Sequence, residues 1–279
     1  MGLGCNAVGV TGCRIFTTKR ERFAAMITNC FIPCNGRFSM LITLSSLFIG
    51  NAFCQNLQAP VAAVFILLLI LLGSLLTLGI TKLLTFCFFR GEYSGFSLEL
   101  PPYRKPQIAK TLALSLFDRT LKILGRAIRV SAPAGALIWL LANLQVQGAS
   151  LLSLCASFLH PFARIMGMDG VILLAFLLAL PANEIVLPII LMGYLATGQM
   201  SDIGELGEFH NILVSNGWTM ATAINVMLFS LLHFPCGTTL WTIRKESGST
   251  LWMILGFIIP TLCAIVICIL VNGIFCLFV

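Results

Sequence analysis

The chain has 279 residues, of which 58% are apolar and only 10% are charged, and its mean hydropathy is +1.00. Soluble domains have about 45–50% apolar and about 25% charged residues, so this composition excludes a soluble enzyme and a disordered chain. The net charge of +7 is concentrated in a few segments. Apolar segments flank the basic stretches, which argues against a nucleic-acid partner. We expect an all-α integral membrane protein that crosses the bilayer several times.

Two apolar segments in the first third of the chain form a predicted hairpin. Phe38–Cys54 and Pro60–Phe89 each approach or exceed the roughly 20 apolar residues that a membrane helix needs. The connection Asn56–Ala59 is short, which predicts antiparallel neighbours. Basic residues lie at both outer ends, in 19–37 and 90–110. Since basic loops stay in the cytoplasm, both ends are predicted to be cytoplasmic and the turn external.

A polar segment and an amphipathic segment follow the hairpin. Gly91–Gln107 contains three prolines, which exclude a regular helix, so we expect an ordered cytoplasmic loop. In Ile108–Val130, charged residues recur at spacings of four, four and three, which places them on one helical face. They are Asp118, Lys122, Arg126 and Arg129. The pattern predicts an interfacial amphipathic helix on the anionic cytoplasmic leaflet.

The second half of the chain combines full spans with short apolar runs. Ser131–Val146 and Leu251–Phe275 are predicted spans, and the acidic loop Ser201–His210 is predicted to be external. Four shorter runs are interrupted by Pro or Gly: Leu151–Phe162, which ends at His160-Pro161, then Gly170–Leu180, Ile185–Ala196 and Trp218–Leu232. Discontinuous helices are tolerated at membrane depth where protein or a watery cavity satisfies the backbone. We therefore predict about six full spans plus broken or re-entrant helices.

Two pairs of interruptions echo each other along the chain. Gly4-Cys5-Asn6 precedes Pro33-Cys34-Asn35-Gly36 in the first half, and Pro181-Ala182-Asn183-Glu184 precedes Pro235-Cys236-Gly237-Thr238 in the second. Paired interruptions at corresponding positions point to a transporter site. A carboxylate such as Glu184 costs ~3 kcal/mol at a helix centre, so it is expected to face a pathway or a partner. The alternative is an Asn-Glu helix cap near one membrane interface.

Five motifs in order carry a resemblance to a known family. They are GLGCNAVGVTGCRIF, RERFAAMITNCFIPCNGRF, LELPPYRKP, LPANEIVLPIIL and HFPCGTTLWTIRKESGS. Together they resemble the membrane half of the ferrous iron transport protein B family (FeoB), in which paired gate segments flank a middle membrane segment. The resemblance implies a first gate segment at 1–37, a middle hairpin at 38–90, a cytoplasmic loop and interfacial helix at 91–130, a second gate segment at 131–247 and a C-terminal helix at 248–279.

The chain also departs from the family pattern. The first gate commonly has a proline after Gly-Cys-Asn-Val, whereas Ala7 and Val8 follow Asn6 here. The family carries a GTP-hydrolysing domain, and no G-x-x-x-x-G-K-[ST] phosphate loop occurs in this chain. We therefore expect no GTP site and no enzymatic activity in this chain, and a partner P-loop GTPase encoded upstream or separately. A homo-oligomer is compatible with the sequence, and the resemblance implies a bacterial-type inner membrane.

Residues at the interruptions are the candidates for the ion pathway. Fe²⁺ accepts thiolate, imidazole and carboxylate ligands, and amide carbonyls can supplement them. The candidates are Cys5, Asn6, Cys34, Asn183, Glu184, His233 and Cys236. Cysteines elsewhere are expected to pack as small hydrophobes, and no catalytic motif such as H-E-x-x-H occurs.

Three functions remain open from the sequence. Ferrous iron transport, as the permease portion of a GTPase-linked uptake system, agrees with the resemblance and with thiols at the helix breaks. A transporter of a nucleoside-like organic solute is the second reading, because related gate segments occur in other membrane families. A non-transporting membrane subunit or fragment is the third.

Overall fold

The computed structural model describes residues 2–16, 18–50, 57–88, 121–146, 149–195 and 206–278, with isolated residues at 107, 114 and 117. These ranges are almost entirely helical. The helices are α1 (Asn6–Gly12), α2 (Lys19–Thr28), α3 (Asn35–Leu44), α4 (Gln58–Phe88), α5 (Leu121–Asn143), α6 (Leu151–Ile165), α7 (Gly170–Leu178), α8 (Val186–Leu195), α9 (Leu206–Ser215), α10 (Met220–Leu232), α11 (Gly237–Ser247) and α12 (Thr250–Phe278).

Short irregular elements connect or extend these helices. Single 3₁₀ turns cover Cys13–Ile15, Asn29–Phe31 and Asn183–Ile185, and a π-helical segment, Ser45–Ile49, extends α3. Strands β1 (Gln145–Val146) and β2 (Ala149–Ser150) pair antiparallel between α5 and α6. The Ser45 hydroxyl donates to the Ala62 carbonyl at 3.1 Å, which joins the π segment to α4 as the predicted hairpin requires.

The predicted class of a polytopic α-helical membrane protein is confirmed. Within the described ranges, four segments are long and apolar enough to cross a bilayer: Lys19–Ile49, Gln58–Phe86, Met220–Ser247 and Thr250–Leu277. Helices α6 and α7 bend by 107° at their junction. They would make a fifth segment if they are counted together as one broken span. The predicted number of about six full spans is not confirmed.

Burial separates the lipid-facing helices from the central ones. Helices α4 and α12 are mostly exposed and strongly apolar, whereas the span formed by α10 and α11 is mostly buried. The core is built from α3, α7, α8 and α10 and contains the fully buried rings of Phe31, Phe176 and Phe229. The most enclosed helices are therefore those that carry the predicted Pro-containing interruptions.

A polar cluster joins three of these central elements. The Asp169 carboxylate accepts from the backbone N–H of Ile172 at 2.7 Å and so caps α7. It also accepts from the Tyr194 hydroxyl at the end of α8. The Trp218 indole, just before α10, donates to the Tyr194 oxygen at 2.8 Å. This chain of hydrogen bonds connects α7, α8 and the start of α10.

Two helix boundaries differ from the sequence prediction. Helix α6 was expected to end at His160-Pro161 but continues to Ile165 with Pro161 inside it, so that prediction is wrong. Packing of α6 along α7 outweighs the cost of a proline in a helix, about 3 kcal/mol. Helix α5 runs without a break from Leu121 to Asn143 and contains Pro133, so no boundary separates the interfacial segment from the predicted span at residue 131.

Other predictions fall outside the described residues. The polar loop 91–106, most of 108–120, Asn56 and the acidic residues Asp202 and Glu205 are among them. The orientation of the chain across the bilayer therefore stays a prediction.

Candidate functional site at the helix breaks

The first break of each half has the same backbone shape. Cys5 precedes α1 with φ −152° and ψ 123°, and Ala182 precedes the turn Asn183–Ile185 with φ −150° and ψ 120°. The two residues thus differ by 2° in φ and 3° in ψ. In each case the chain is extended for one residue and then turns into a helix that begins with an asparagine. The echo seen in the sequence is a structural equivalence at these positions.

Both asparagines are buried with an unsatisfied amide oxygen. Asn6 is 2% exposed and Asn183 is 6% exposed. Neither Oδ1 atom has a hydrogen-bond partner. Because a buried polar atom without a partner costs about 1–3 kcal/mol, such atoms are rare and call for an explanation. Two carbonyl oxygens at equivalent breaks are acceptors that a cation or water could use.

The two Pro-Cys breaks form a second equivalent pair. Cys34 (φ −80°, ψ 170°) precedes α3, and Cys236 (φ −60°, ψ 157°) precedes α11. The residue after each cysteine donates its N–H to a carbonyl at the first break of the same half. Asn35 N reaches Gly4 O at 3.3 Å, and Gly237 N reaches Leu180 O at 2.7 Å. Each half therefore joins its two breaks by a similar backbone contact, with the acceptor one residue before Cys5 and two residues before Ala182.

The breaks of opposite halves also meet. Helix α1 packs against α11, and α3 packs against the turn Asn183–Ile185. The second contact is tight, since a Cβ atom on Gly36 would lie 2.7 Å from Glu184 Cγ. A side chain at residue 36 would push Glu184 away. The structure thus brings Cys34 and Glu184 into neighbouring elements, as it does for Cys5 and Cys236.

Helices α1, α3 and α11 begin without a side-chain cap. Cys5, Cys34 and Cys236 occupy the N-cap positions, and none of their side chains accepts from the first turn. By contrast, Thr18 and Ser150 cap α2 and α6 in the usual way. A helix N-terminus stabilises a negative neighbour, and the thiolate is the form of cysteine that binds metal ions. All three thiols are free and partly exposed.

Glu184 and Cys236 differ in their surroundings. Glu184 is exposed and lines an open cleft of about 360 Å³ together with Asn35, Phe38, Ser39 and Ile42. The Cys236 sulfur lies 3.0 Å from Thr238 Oγ1 and 3.2 Å from Thr239 Oγ1. A thiol held between two hydroxyls is kept in one orientation at the start of α11. The Glu184 carboxylate is therefore accessible from the cleft.

His233 lies deeper than the thiols. Helix α10 ends at Leu232, so His233 and Cys236 do not share a helical face. The ring is 1% exposed, and its Nδ1 lies 2.9 Å from the carbonyls of both Phe229 and Ser230. Since both neighbours are acceptors, Nδ1 carries the proton and Nε2 keeps its lone pair, which has no partner. Rings of Phe176, Phe229 and Phe234 surround it.

Arg37 is the residue that sequence reasoning did not place in the site. Its side chain is fully buried. One terminal nitrogen, Nη1, donates to Cys30 O at 2.6 Å and Leu231 O at 3.0 Å. The other, Nη2, donates to His233 O and Phe234 O, both at 2.8 Å. One guanidinium therefore joins the break of the first half to the break of the second.

The signal for Arg37 was present in the sequence. An arginine three residues after a Pro-Cys break, inside an apolar segment, is expensive unless it is fully hydrogen-bonded. Three of its four acceptors, however, lie almost 200 residues away, at or just beyond the end of α10. Among the residues that the structure describes, no carboxylate forms an ion pair with Arg37.

The candidate ligands do not form a closed metal site. In the described ranges, no group of three or more His, Cys, Asp or Glu side chains is arranged to hold a metal ion. The arrangement instead distributes thiols, amide oxygens and one carboxylate over four breaks. Such a set can offer one or two ligands at each break.

The fold and the paired breaks define a multi-pass α-helical membrane protein of the gate type. Two family models match the chain: "Ferrous iron transport protein B C terminus" over residues 66–119, and the Gate model, described as "Nucleoside recognition", over residues 124–250. The resemblance predicted from the motifs is confirmed, because the chain is similar to the C-terminal membrane portion of FeoB proteins.

Curated relatives extend the match to nearly the whole chain. It is 27% identical to the Fe(2+) transporter FeoB of Staphylococcus aureus (strain MSSA476) over 275 residues, which is 96% of this chain and 38% of that protein. FeoB of Leptospira interrogans serovar Lai is 24% identical, with 93% of this chain and 40% of that protein covered. FeoB of Synechocystis is 25% identical, with 95% and 41% covered. The chain thus spans about two fifths of these relatives. No solved structure matches it.

Proposed function

We propose that this chain forms the membrane pathway through which Fe²⁺ crosses the bilayer, as the permease portion of a GTPase-linked uptake system. The observation that carries the proposal is the pair of equivalent breaks, each with a buried and unpartnered asparagine oxygen. Relatives that cover nearly the whole chain bear the name Fe(2+) transporter. The pathway residues are Cys5, Asn6, Cys34, Asn183, Glu184, His233 and Cys236.

The chemistry follows from the ligands present. Fe²⁺ binds carboxylate, imidazole and thiolate groups, and it must exchange part of its hydration shell for protein ligands on entry. Glu184 in its open cleft supplies a negative charge that offsets this lost hydration. The oxygens of Asn6 and Asn183 and the thiols of Cys34 and Cys236 then supply neutral or anionic ligands in neighbouring breaks. With few ligands at each position, the ion is held weakly enough to move on.

The proposed division of the chain keeps the boundaries that the resemblance implies. Residues 1–37 and 131–247 act as the first and second gate segments, and 38–90 forms the middle hairpin. Residues 91–130 form the cytoplasmic loop with its interfacial helix, and 248–279 form the last span. We propose the inner membrane as the location and a P-loop GTPase, joined upstream or encoded separately, as the partner that supplies energy.

Uptake of radiolabelled Fe²⁺ under reducing conditions tests the proposal. The chain is expressed with its GTPase in cells that lack other ferrous uptake, and Cys236→Ser is compared with Cys263→Ser at matched expression. Cys263 lies within α12, outside the helix breaks, with its side chain partly buried against the core, and it serves as the matched control. We expect Cys236→Ser and Glu184→Gln to lower uptake about tenfold, within the range for losing a partner at a metal site.

Two results would contradict the proposal. Equal uptake by the wild type, Cys236→Ser and Glu184→Gln would leave these residues as packing and capping groups. Uptake of a radiolabelled nucleoside that depends on the same residues, without Fe²⁺ uptake, would favour the organic-solute reading instead.

A further inference from the structure

A groove runs between the start of α2 and the last turns of α4, away from the helix breaks. Its volume is about 430 Å³, and it is lined by Arg20, Gly79, Lys82, Leu83, Thr85 and Phe86. The groove has an apolar floor and two basic side chains at its rim. None of these residues belongs to the pathway described above.

The depth of Lys82 along α4 places the rim at the lipid headgroups. Lys82 is the only charged residue in α4 and lies 24 residues after Gln58. At 1.5 Å per residue this is about 36 Å of helix, whereas the hydrocarbon core is about 30 Å thick. Lys82 therefore sits at the membrane boundary when α4 spans the bilayer.

The two basic groups are available for an anion. Arg20 donates one N–H to the Thr85 carbonyl at 3.2 Å, which fixes the guanidinium beside the groove. In the described part of the chain, neither Arg20 nor Lys82 forms an ion pair, because the two ion pairs there join Glu246 to Arg14 and Arg22. Helix α4 contains no acidic residue.

Below the rim, the surface is suited to acyl chains. Leu75 and Leu78, seven and four residues before Lys82 on α4, are 66% and 70% exposed. Gly79 opens the wall of the groove, since a Cβ atom built there meets nothing within 4 Å. An apolar channel that continues along a spanning helix and ends at two cations has the shape and charge of a phospholipid site.

We propose that this groove binds an anionic phospholipid, with its phosphate between Arg20 and Lys82 and its acyl chains along α4. A free anion would contact the same two cations but would gain nothing from the apolar floor. The lipid would link α2 to α4 and so support α2, which leads into the break at Cys34.

Lipid retention by the purified full-length chain tests the proposal. Native mass spectrometry counts phosphatidylglycerol and phosphatidylcholine retained by the wild type and by Arg20→Gln/Lys82→Gln. Each basic residue near an anionic surface contributes a factor of about five, so the double variant should lose about 25-fold in preference for phosphatidylglycerol. The control Arg244→Gln/Lys245→Gln removes two exposed charges elsewhere and should change the preference by less than about fivefold, the effect of one such charge.

Two further arms decide the occupant. Gly79→Leu keeps both charges but fills the groove, and it should lower phosphatidylglycerol retention as well. Inorganic phosphate should not displace the lipid. An unchanged preference for phosphatidylglycerol in the double variant would overturn the proposal. If the double variant does not fold, the single variant Lys82→Gln, at an exposed residue, takes its place in this test. Unchanged retention of phosphatidylglycerol by Gly79→Leu would also overturn the proposal. Displacement of the lipid by inorganic phosphate would overturn it by showing that the groove is a simple anion site.

Discussion

Replacing Arg37 by methionine should destabilise the protein more than any other single change at the breaks. Methionine keeps much of the side-chain volume but removes all donors to Cys30 O, Leu231 O, His233 O and Phe234 O. The carbonyls at the end of α10 have no partner within that helix. They would then be buried without a hydrogen bond, and the two halves would lose their common link.

The magnitude follows from the number and type of these bonds. Hydrogen bonds to a charged group contribute about 1.5–3 kcal/mol each, so four represent about 6–12 kcal/mol. Burying the charge of Arg37 costs several kcal/mol in lost hydration, and the methionine variant no longer has this cost. We expect a net loss of about 3–5 kcal/mol, as found when one partner of a buried charged interaction is removed. Arg37→Lys keeps the charge but not the planar fork, and its loss should be smaller.

Equilibrium unfolding in mixed micelles, titrated with SDS and followed by circular dichroism, measures this difference. Arg244→Met is the matched control, because Arg244 is exposed near the end of α11. Its free energy of unfolding should stay within about 0.5 kcal/mol of the wild type. An Arg37→Met variant that unfolds within the same range would refute the role assigned to the four carbonyl contacts.

Three further predictions concern glycine strain, the ion pairs of Glu246 and topology. Gly167→Ala and Gly248→Ala both place alanine at positive φ (71° and 68°), but only residue 167 has side-chain atoms within 2.5 Å of the new Cβ. Gly167→Ala should therefore lower the unfolding free energy by at least about 1 kcal/mol more than Gly248→Ala, and equal losses would contradict the crowding. Glu246→Gln weakens two ion pairs, the bidentate contact to Arg14 and the 3.2 Å contact to Arg22, and the Glu246 side chain is only 6% exposed; the loss should exceed the roughly 1 kcal/mol of an exposed pair and should shrink in high salt because both arginines reach solvent, so a loss near zero would be inconsistent. A single probe cysteine at residue 94 should react with a thiol reagent only from the cytoplasmic side. Labelling from the outside alone would show that the predicted topology is wrong.

The interruptions themselves could be predicted from local chemistry. Proline lacks an N–H and fixes φ, so Pro181 and Pro235 marked ends of apolar runs that the structure also ends, at Leu178 and Leu232. Proline alone was not decisive, because Pro161 lies inside α6. Whether a proline ends a helix depends on the packing gained by continuing, and that packing is not visible in a local window.

The sequence by itself determined the class of the protein, the long apolar helices α4 and α12 and the positions of the four breaks that carry Asn or Cys, because each follows from hydropathy and from residues adjacent in the chain. It also marked the two asparagine-bearing breaks as a repeated pattern. Only the tertiary structure decided what these breaks contact. The elements packed beside Asn6 and Asn183, and three of the four carbonyls around Arg37, come from the opposite half of the chain. Contacts between residues almost 200 positions apart are set by how the helices pack, and no local pattern encodes that arrangement.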